Sequence, residues 1–327
     1  MKRREVLGLG LAALCAPALR PARAQARFPD RPIRLVIPFP PGGVYDAVGR
    51  PWAERMKSSL GNVVVENMGG AGGSLGAAAV ARATPDGYTI LLGGGGPFVV
   101  NPLASARTPY DPVKDFEPIS LLVVTALSFV VNPALPVHNL KELIAYAKAN
   151  PGKLSFGSAG VGSFNHLTGE LFKSLIGAPD IVHVPYRGAG LSITDVVSGQ
   201  IPLATPNVTG QVLELHKSGK LRILAVTTPS RLVAAPELPT AVEAGLPGMI
   251  SHNFIGLFAP AGTPKAIVAQ IAQATRGAMA EREFVDLYVK SGFEPMPDQS
   301  PDRLRAFLGE ELARWSPVIK SIGLKLD

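Results

Sequence analysis

Cysteine is nearly absent from this chain of 327 residues: Cys15 is the only one. One thiol makes no intramolecular disulfide, no zinc–thiolate cluster and no paired-cysteine redox centre. Charge is scarce as well. Asp, Glu, Lys and Arg make up 17% of the residues, aromatic residues 6%, and no block of like charge occurs. Nucleic-acid binders need concentrated basic patches, with aromatics among them where single strands are held, so a formal charge of +7 spread this thinly does not make such a surface. Also missing are G-x-G-x-x-G, G-x-x-x-x-G-K-[ST] and H-E-x-x-H, which removes support for dinucleotide, nucleoside-triphosphate and zincin chemistry.

What is present begins at the N-terminus. Met1-Lys2-Arg3-Arg4-Glu5 precedes the apolar stretch Val6–Leu14, and Ala22-Arg23-Ala24 follows. A basic start, a short apolar core and an A-x-A site predict an export signal cleaved after Ala24. The apolar stretch is too short for a membrane anchor. Arg3-Arg4 resembles a twin-arginine signal, and the general secretory route stays open beside it. Cys15 lies inside the signal, and the bulky Leu14 before it argues against a lipid-acceptor site. Removing 24 residues from 327 leaves 303 without any thiol, and it takes away five basic side chains and Glu5, so the charge falls from +7 to +3. An exported chain without disulfides must rely on a large core, and this length supplies one or two.

From Phe28 onward, short β-branched runs alternate with helix-like segments. Ile33–Phe39, Asn62–Glu66 and Tyr88–Leu92 read as strands, with helices expected over Asp46–Leu60 and Ser74–Ala83, capped by Asp46 and Ser74. A proline-rich connector, Asn101 to Pro118, leads into an apolar run, Ile119 to Val131, that could carry the chain from one lobe to another. The alternation then restarts: helix Leu140–Asn150, strand Leu154–Gly157, helix Asn165–Ile176, strand Ile181–Val184, helix Leu191–Ser198, strands Ile201–Thr205 and Leu221–Val226. A loop, Pro229–Pro247, precedes strand Phe254–Phe258 and helices Lys265–Met279 and Pro301–Ser321. Alternating βαβ elements predict parallel sheets covered on both faces. The expected architecture is two-lobed α/β with the second lobe inserted into the first: residues 25–124 and 229–327 form domain 1 and residues 125–228 domain 2. A ligand would sit in the cleft between them.

Chemistry concentrates in three glycine-rich turns, each at a strand-to-helix junction: Pro38-Phe39-Pro40-Pro41-Gly42-Gly43, Gly69-Gly70-Ala71-Gly72-Gly73-Ser74 and Gly157-Ser158-Ala159-Gly160-Val161-Gly162-Ser163. Glycine lets backbone N–H groups approach a guest, and helix N-termini favour anions. Ser158, Ser163, Asn165 and His166 add hydroxyl, amide and imidazole donors. His166 and Glu170 lack a third ligand at a familiar spacing, so no metal is expected, and no cofactor. Arg187 reads as a solvated surface charge. Gly72-Gly73-Ser74-Leu75-Gly76 matches the G-x-S-x-G nucleophile elbow, but the preceding strand ends near Glu66, too early for that sharp turn.

Ordered motifs along most of the chain resemble the Bug (Bordetella uptake gene) family, the periplasmic solute receptors of tripartite tricarboxylate transporters. They include Arg31-Pro32-Ile33-Arg34-Leu35-Val36-Ile37-Pro38-Phe39-Pro40-Pro41-Gly42-Gly43, Val64-Val65-Glu66-Asn67, Gly70-Ala71-Gly72-Gly73 and Pro85-Asp86-Gly87-Tyr88-Thr89. Tyr110-Asp111-Pro112-Val113-Lys114-Asp115-Phe116, His183-Val184-Pro185-Tyr186 and Ala259-Pro260-Ala261-Gly262-Thr263-Pro264 continue the series. The resemblance implies a Venus-flytrap fold of the type II kind, a monomer without catalytic activity, membrane transporter subunits as partners and a small organic acid as ligand. It places contacts at Phe39, Gly42, Gly43, Ala71, Gly72, Ser74, Ser158, Gly160, Ser163 and His166, and Tyr45, Asp46 and Thr205 are expected to line the same cleft. Departures bear on the ligand. Tyr45 stands where the family more often resembles a small hydroxyl residue, the strand ending at Thr205 lacks the usual aspartate, and Phe254 replaces a frequent tryptophan. Two other readings remain: an exported α/β hydrolase using Ser74, and a ligand sensor that docks on a membrane signalling protein.

Overall fold

A computed structural model describes residues 28–326; the expected export signal, with Cys15 and the expected cleavage site after Ala24, lies outside the described residues. The chain folds as β1(Ile33–Ile37), α1(Val44–Leu60), β2(Val63–Asn67), α2(Ser74–Ala81), β3(Thr89–Gly94), α3(Asn101–Ala104), β4(Phe116–Ala126) and β5(Ser128–Val131). It continues as α4(Leu140–Ala149), β6(Ser155–Ser158), α5(Phe164–Ile176), β7(Val182–Pro185), α6(Ala189–Ser198), β8(Leu203–Ala204), α7(Gly210–Lys217) and β9(Arg222–Val226). The last elements are β10(His252–Pro260), α8(Lys265–Met279), α9(Arg282–Lys290), β11(Phe293–Pro295) and α10(Pro301–Ser321).

Two sheets result, ordered β11-β4-β10-β3-β1-β2 and β7-β6-β8-β5-β9. The expectation of wholly parallel sheets is corrected: both are mixed. β2-β1-β3 and β7-β6-β8 are parallel, as βαβ crossovers require, but β10 runs antiparallel to both β3 and β4, and β5 runs antiparallel to both β8 and β9. The reason is the traffic between sheets. Strands that leave or re-enter a sheet from the other one need no helical crossover, so they can insert against the parallel direction.

The long apolar run after Phe116 does cross. β4 belongs to the first sheet, β5 to the second, and Leu127 joins them. The return passes between Val226 and His252. Thr227 knits both passages: its N–H donates to Leu127 O (2.9 Å), its Oγ1 to Ser251 O (2.6 Å), and it accepts from Leu127 N–H (3.2 Å).

Alternation along β1 explains its near-continuous apolar composition. Ile33, Leu35 and Ile37 face a core roofed by α1 and α8, while Val36 faces a second core on the opposite side. Trp52, fully buried between α1 and α8, donates from Nε1 to Thr275 Oγ1 at 3.1 Å. The second core continues without a break from Val36, Leu91 and Phe98 to Phe129, Phe156 and Phe164, so the two sheets share one apolar layer. α8 and α10 run over the residues expected of them. α7 and α9 were not anticipated: each is short and charged, and α7 starts on a cap, Thr209 accepting from Val212 N–H, that a loop could carry equally well.

Candidate functional site

The first turn is held from inside. Asp46, 6% exposed, accepts from Gly42 N–H and from Asn67 Nδ2 (2.9 Å), and Arg50 Nε lies 3.4 Å from its Oδ1. Asn67 also donates to Phe39 O at 3.0 Å. The helix therefore begins earlier than expected, with Gly43 as N-cap and Asp46 inside the first turn, where a carboxylate reaches back to the orphan amides. Ser74 is likewise the first helical residue of α2 behind the N-cap Gly73, not a cap. Its Oγ accepts from Asn101 Nδ2 (2.7 Å) and lies 3.3 Å from the Tyr110 hydroxyl, which itself donates to Pro97 O (2.7 Å). Among the described residues no imidazole joins that set, so the geometry of a serine hydrolase triad is missing at Ser74.

The second turn stores strain. Gly70, Ala71, Gly72 and Gly73 all have positive φ, at 141, 47, 61 and 94°. For Ala71 a left-handed backbone costs roughly 1–2 kcal/mol, and it persists because Asn101 Nδ2 clamps the turn through Ala71 O (3.1 Å) and Gly72 O (3.0 Å). A Cβ on Gly72 would lie 2.8 Å from Asn101 Oδ1, so glycine is also required by contact. Gly73 N–H closes the turn onto Gly70 O at 3.0 Å and Ser74 N–H onto Ala71 O, so the donors of this nest that could face an anion are the amides of Ala71 and Gly72.

The third turn faces these from the other sheet. Ser163 caps α5, accepting from His166 N–H at 3.2 Å and donating to Gly160 O at 2.7 Å. The amides of Phe164 and Asn165 in that first turn have no intrahelical acceptor. A Cβ on Gly162 would stand 3.6 Å from Asn101 Oδ1 and 2.9 Å from Leu326, so this turn lies directly against the second. Thr205 and Asn165 exchange bonds, Oγ1 to Asn165 O and Nδ2 to Thr205 O, each at 2.6 Å. That pair fixes α5 onto the end of β8.

A fourth glycine run, Gly93-Gly94-Gly95-Gly96, ends β3 and was not counted among the turns, although four successive glycines are a plain signal. A Cβ on Gly95 would lie 2.2 Å from Phe164, and one on Gly96 3.1 Å from Gly72 O. Phe39 covers Gly73 and Gly96 and pairs with Tyr45, ring centroids 4.4 Å apart. Asn101, His183 and Asn253 also belong here without an advance signal, because only the fold brings them to the turns. Two hollows of about 290 and 410 Å³ lie elsewhere, beside Leu213 and Met296, and neither is lined by these turns.

This arrangement matches known receptors. The family model described as tripartite tricarboxylate transporter family receptor matches residues 48–324. The chain belongs to that receptor family. It is similar to Protein BugT of Bordetella pertussis, 36% identical over 301 residues covering 91% of each chain. Among solved structures it is similar to R. palustris Rpa4515 with adipate, at 33% identity and TM-score 0.84 over 91% of this chain and 99% of the other. It is also similar to MatC from Rhodopseudomonas palustris with bound malate, at 32% identity and TM-score 0.82 over 89% of this chain and 100% of the other. The α/β fold with two sheets is thus that of the family's periplasmic binding proteins. Among the described residues no helix is long and apolar enough to cross a membrane, and no group of three or more His, Cys, Asp or Glu could hold a metal.

In this receptor the imidazoles form a stack. His166 and His183 lie face to face, centroids 3.9 Å apart, with Phe156 on the far side of His183. His183 Nε2 is 2.7 Å from Ser158 Oγ, which accepts from Gly160 N–H at 3.0 Å. His166 Nδ1 accepts from Gly162 N–H (3.4 Å), while its Nε2 lies 3.8 Å from Glu170, itself paired with Lys173 at 3.0 Å. Burial, then His166 and Lys173, push His183 down to about 3. Burial likewise lowers His166, against the opposing pull of Glu170. Both rings are therefore neutral near pH 7 and offer one donor and one acceptor nitrogen each. Arg187 is exposed beyond β7.

A pH dependence follows. Below the ordinary histidine value of about 6.5, an unfolded chain takes up protons that the folded stack refuses. The ligand-free protein should therefore lose stability on acidification from about pH 6.5 downward, the loss continuing toward the His183 value of about 3. Thermal unfolding from pH 7 to 4 checks this, with His183→Gln expected to fall less steeply. Equal slopes for both proteins would count against the stack as the cause.

Proposed function

We propose that this chain is a periplasmic receptor that captures a small organic acid and delivers it to the membrane subunits of a tripartite tricarboxylate transporter. Residues 25–124 with 229–327 and residues 125–228 act as two lobes that close on the ligand, joined at Leu127 and Thr227. The observation that carries this reading is the meeting of anion-favouring turns from both sheets, the Ala71–Gly73 nest opposite the α5 N-terminus; among the described residues Ser158 and His183 pair at 2.7 Å beside them without a carboxylate hydrogen-bonded to His183. The chain is read as a binding protein without catalysis. Its contacts are drawn from Phe39, Gly42, Gly43, Tyr45, Ala71, Gly72, Gly160 and His166. Asp46, Ser74, Ser158, Ser163 and Thr205 hold the walls from behind, because their side-chain oxygens are already engaged within the protein. The bound adipate and malate of two similar proteins support a carboxylate ligand.

Calorimetric titration and thermal shift with L-malate, succinate and adipate test the reading. One-to-one binding is expected, and at 100 times its dissociation constant an acid should stabilise the protein by about 2.7 kcal/mol. No heat and no shift across a broader panel of carboxylates would overturn it.

A further inference from the structure

The segment that follows α10 is aimed and then tied down. Gly323 has φ 63°, its N–H donates to Lys320 O at 3.2 Å, and Leu324 N–H reaches back to Ile319 O at 3.2 Å. This pair of bonds around a left-handed glycine turns a chain sharply off its helix and fixes the direction in which it leaves. Leu324 and Leu326 then flank the exposed Lys325, both half-buried against the apolar layer that the two sheets share. Leu326 N–H donates to the carbonyl of Ala104, the last residue of α3, at 2.9 Å.

The Leu326 side chain reaches further than its backbone. Gly162, in the turn before α5, has φ 79°, and a Cβ there would lie 2.9 Å from Leu326 Cδ1 and 3.2 Å from its Cδ2. The leucine methyls therefore rest on bare glycine backbone, closer than a side chain at that position would allow. The backbone anchor at Ala104 belongs to residues 25–124 and the seat at Gly162 to residues 125–228, so the contact spans the two lobes. Ser163, the N-cap of α5, is the next residue, and Trp315 of α10 stands edge-on to Phe164, ring centroids 5.2 Å apart. α10 and the segment after it thus meet the start of α5 at two places.

We propose that residues 324–326 are a strap that fastens the closed receptor: carried by the first lobe, Leu326 seats on Gly162 of the second and keeps the start of α5 against the Ala71–Gly73 nest. The proposal rests on the receptor reading above and deepens it, because the strap sets how long a captured acid is held. Leu326 is a positioning residue, acting on the acid through the turn it presses. A contact between lobes exists only when the lobes meet. Its worth is added to the closed state alone, so it slows release and leaves capture nearly untouched.

Leu326→Ala trims the side chain to its Cβ at a half-buried contact, and a bound acid should leave the variant about five-fold faster at a nearly unchanged association rate. The probes are L-malate, succinate and adipate, with release followed by stopped-flow displacement and affinity by titration calorimetry. Leu326→Met keeps the bulk and should restore the wild-type release rate. The ligand-free Leu326→Ala protein should melt with wild type, because the side chain loses its seat whenever the lobes part. Release at the wild-type rate would overturn the strap. So would slower association together with a lower ligand-free melting temperature, since the residue would then act in the open protein. A wild-type protein that binds none of a broad panel of acids would overturn the receptor reading and the strap with it, whereas acids held equally long by wild type and variant overturn the strap alone.

Discussion

Gly95→Ala should weaken ligand binding by about 100-fold, or ~2.7 kcal/mol, while leaving a folded protein. The backbone at Gly95, with φ −55 and ψ −41°, suits alanine, so no conformational penalty enters. The penalty is steric and falls between the sheets. The added methyl would lie 2.2 Å from Phe164 Cε2, 2.7 Å from its Cδ2 and 2.8 Å from Asn253 Oδ1. Phe164 cannot swing aside, because it is buried and Trp315 stands against it edge-on at 5.2 Å. The start of α5 must therefore retreat, and it takes its free amides and Ser163 away from the Ala71–Gly73 nest. A receptor gains affinity only from contacts made in its closed state, so a wedge that raises the energy of closure subtracts directly from binding. Titration calorimetry gives the affinity, and small-angle scattering with saturating acid should show a protein more extended than wild type. Gly190→Ala, where an added methyl meets nothing within 4 Å, is the control and should bind normally. Normal binding by Gly95→Ala would remove this contact from the closure mechanism.

Glu311→Ala is expected to cost about 1–3 kcal/mol of stability, the penalty for a buried donor left without its acceptor, with little change in affinity per folded molecule. The carboxylate is 1% exposed within α10. Its Oε2 accepts from Trp315 Nε1 at 3.1 Å, and its Oε1 lies 3.3 Å from His252 Nε2 and 3.5 Å from Arg314 Nε. His252 opens β10 directly after Ser251, where the chain re-enters the first sheet. Removing the carboxylate strands the buried indole N–H of Trp315 and opens a void beside His252 and Phe307, whose rings lie 5.7 Å apart. Glu311→Gln keeps the bond to Trp315 and should cost less. Denaturant unfolding of the three proteins measures both differences. A loss under 1 kcal/mol for Glu311→Ala would show that the pair is dispensable.

Much of the architecture was legible because period and punctuation speak plainly. β-branched runs bounded by glycine and proline marked β1, β2 and β3 within a residue or two, and the helix expected over Pro301–Ser321 is α10 to the residue. The apolar stretch ending at Val131 betrayed the passage between sheets, since a run that stays apolar for so long must be covered on both sides. Strand direction was not legible. Nothing in the composition of β10 or β5 distinguishes antiparallel insertion from parallel addition, because both bury two faces.

At the candidate site the division is sharper. Sequence alone determined which backbone could receive an anion: glycine turns ahead of helices are local, and local chemistry survives any fold. It also determined that Cys15 is the single thiol and that no familiar metal or nucleotide motif occurs. Tertiary structure alone decided which side chains serve those turns. Asn101 clamps Ala71 across 30 residues of chain, His183 reaches Ser158 across 25, and Asn253 reaches Gly95 across 158. Such partners are set by sheet order and by the meeting of two sheets, long-range packing that leaves no periodic trace in the chain.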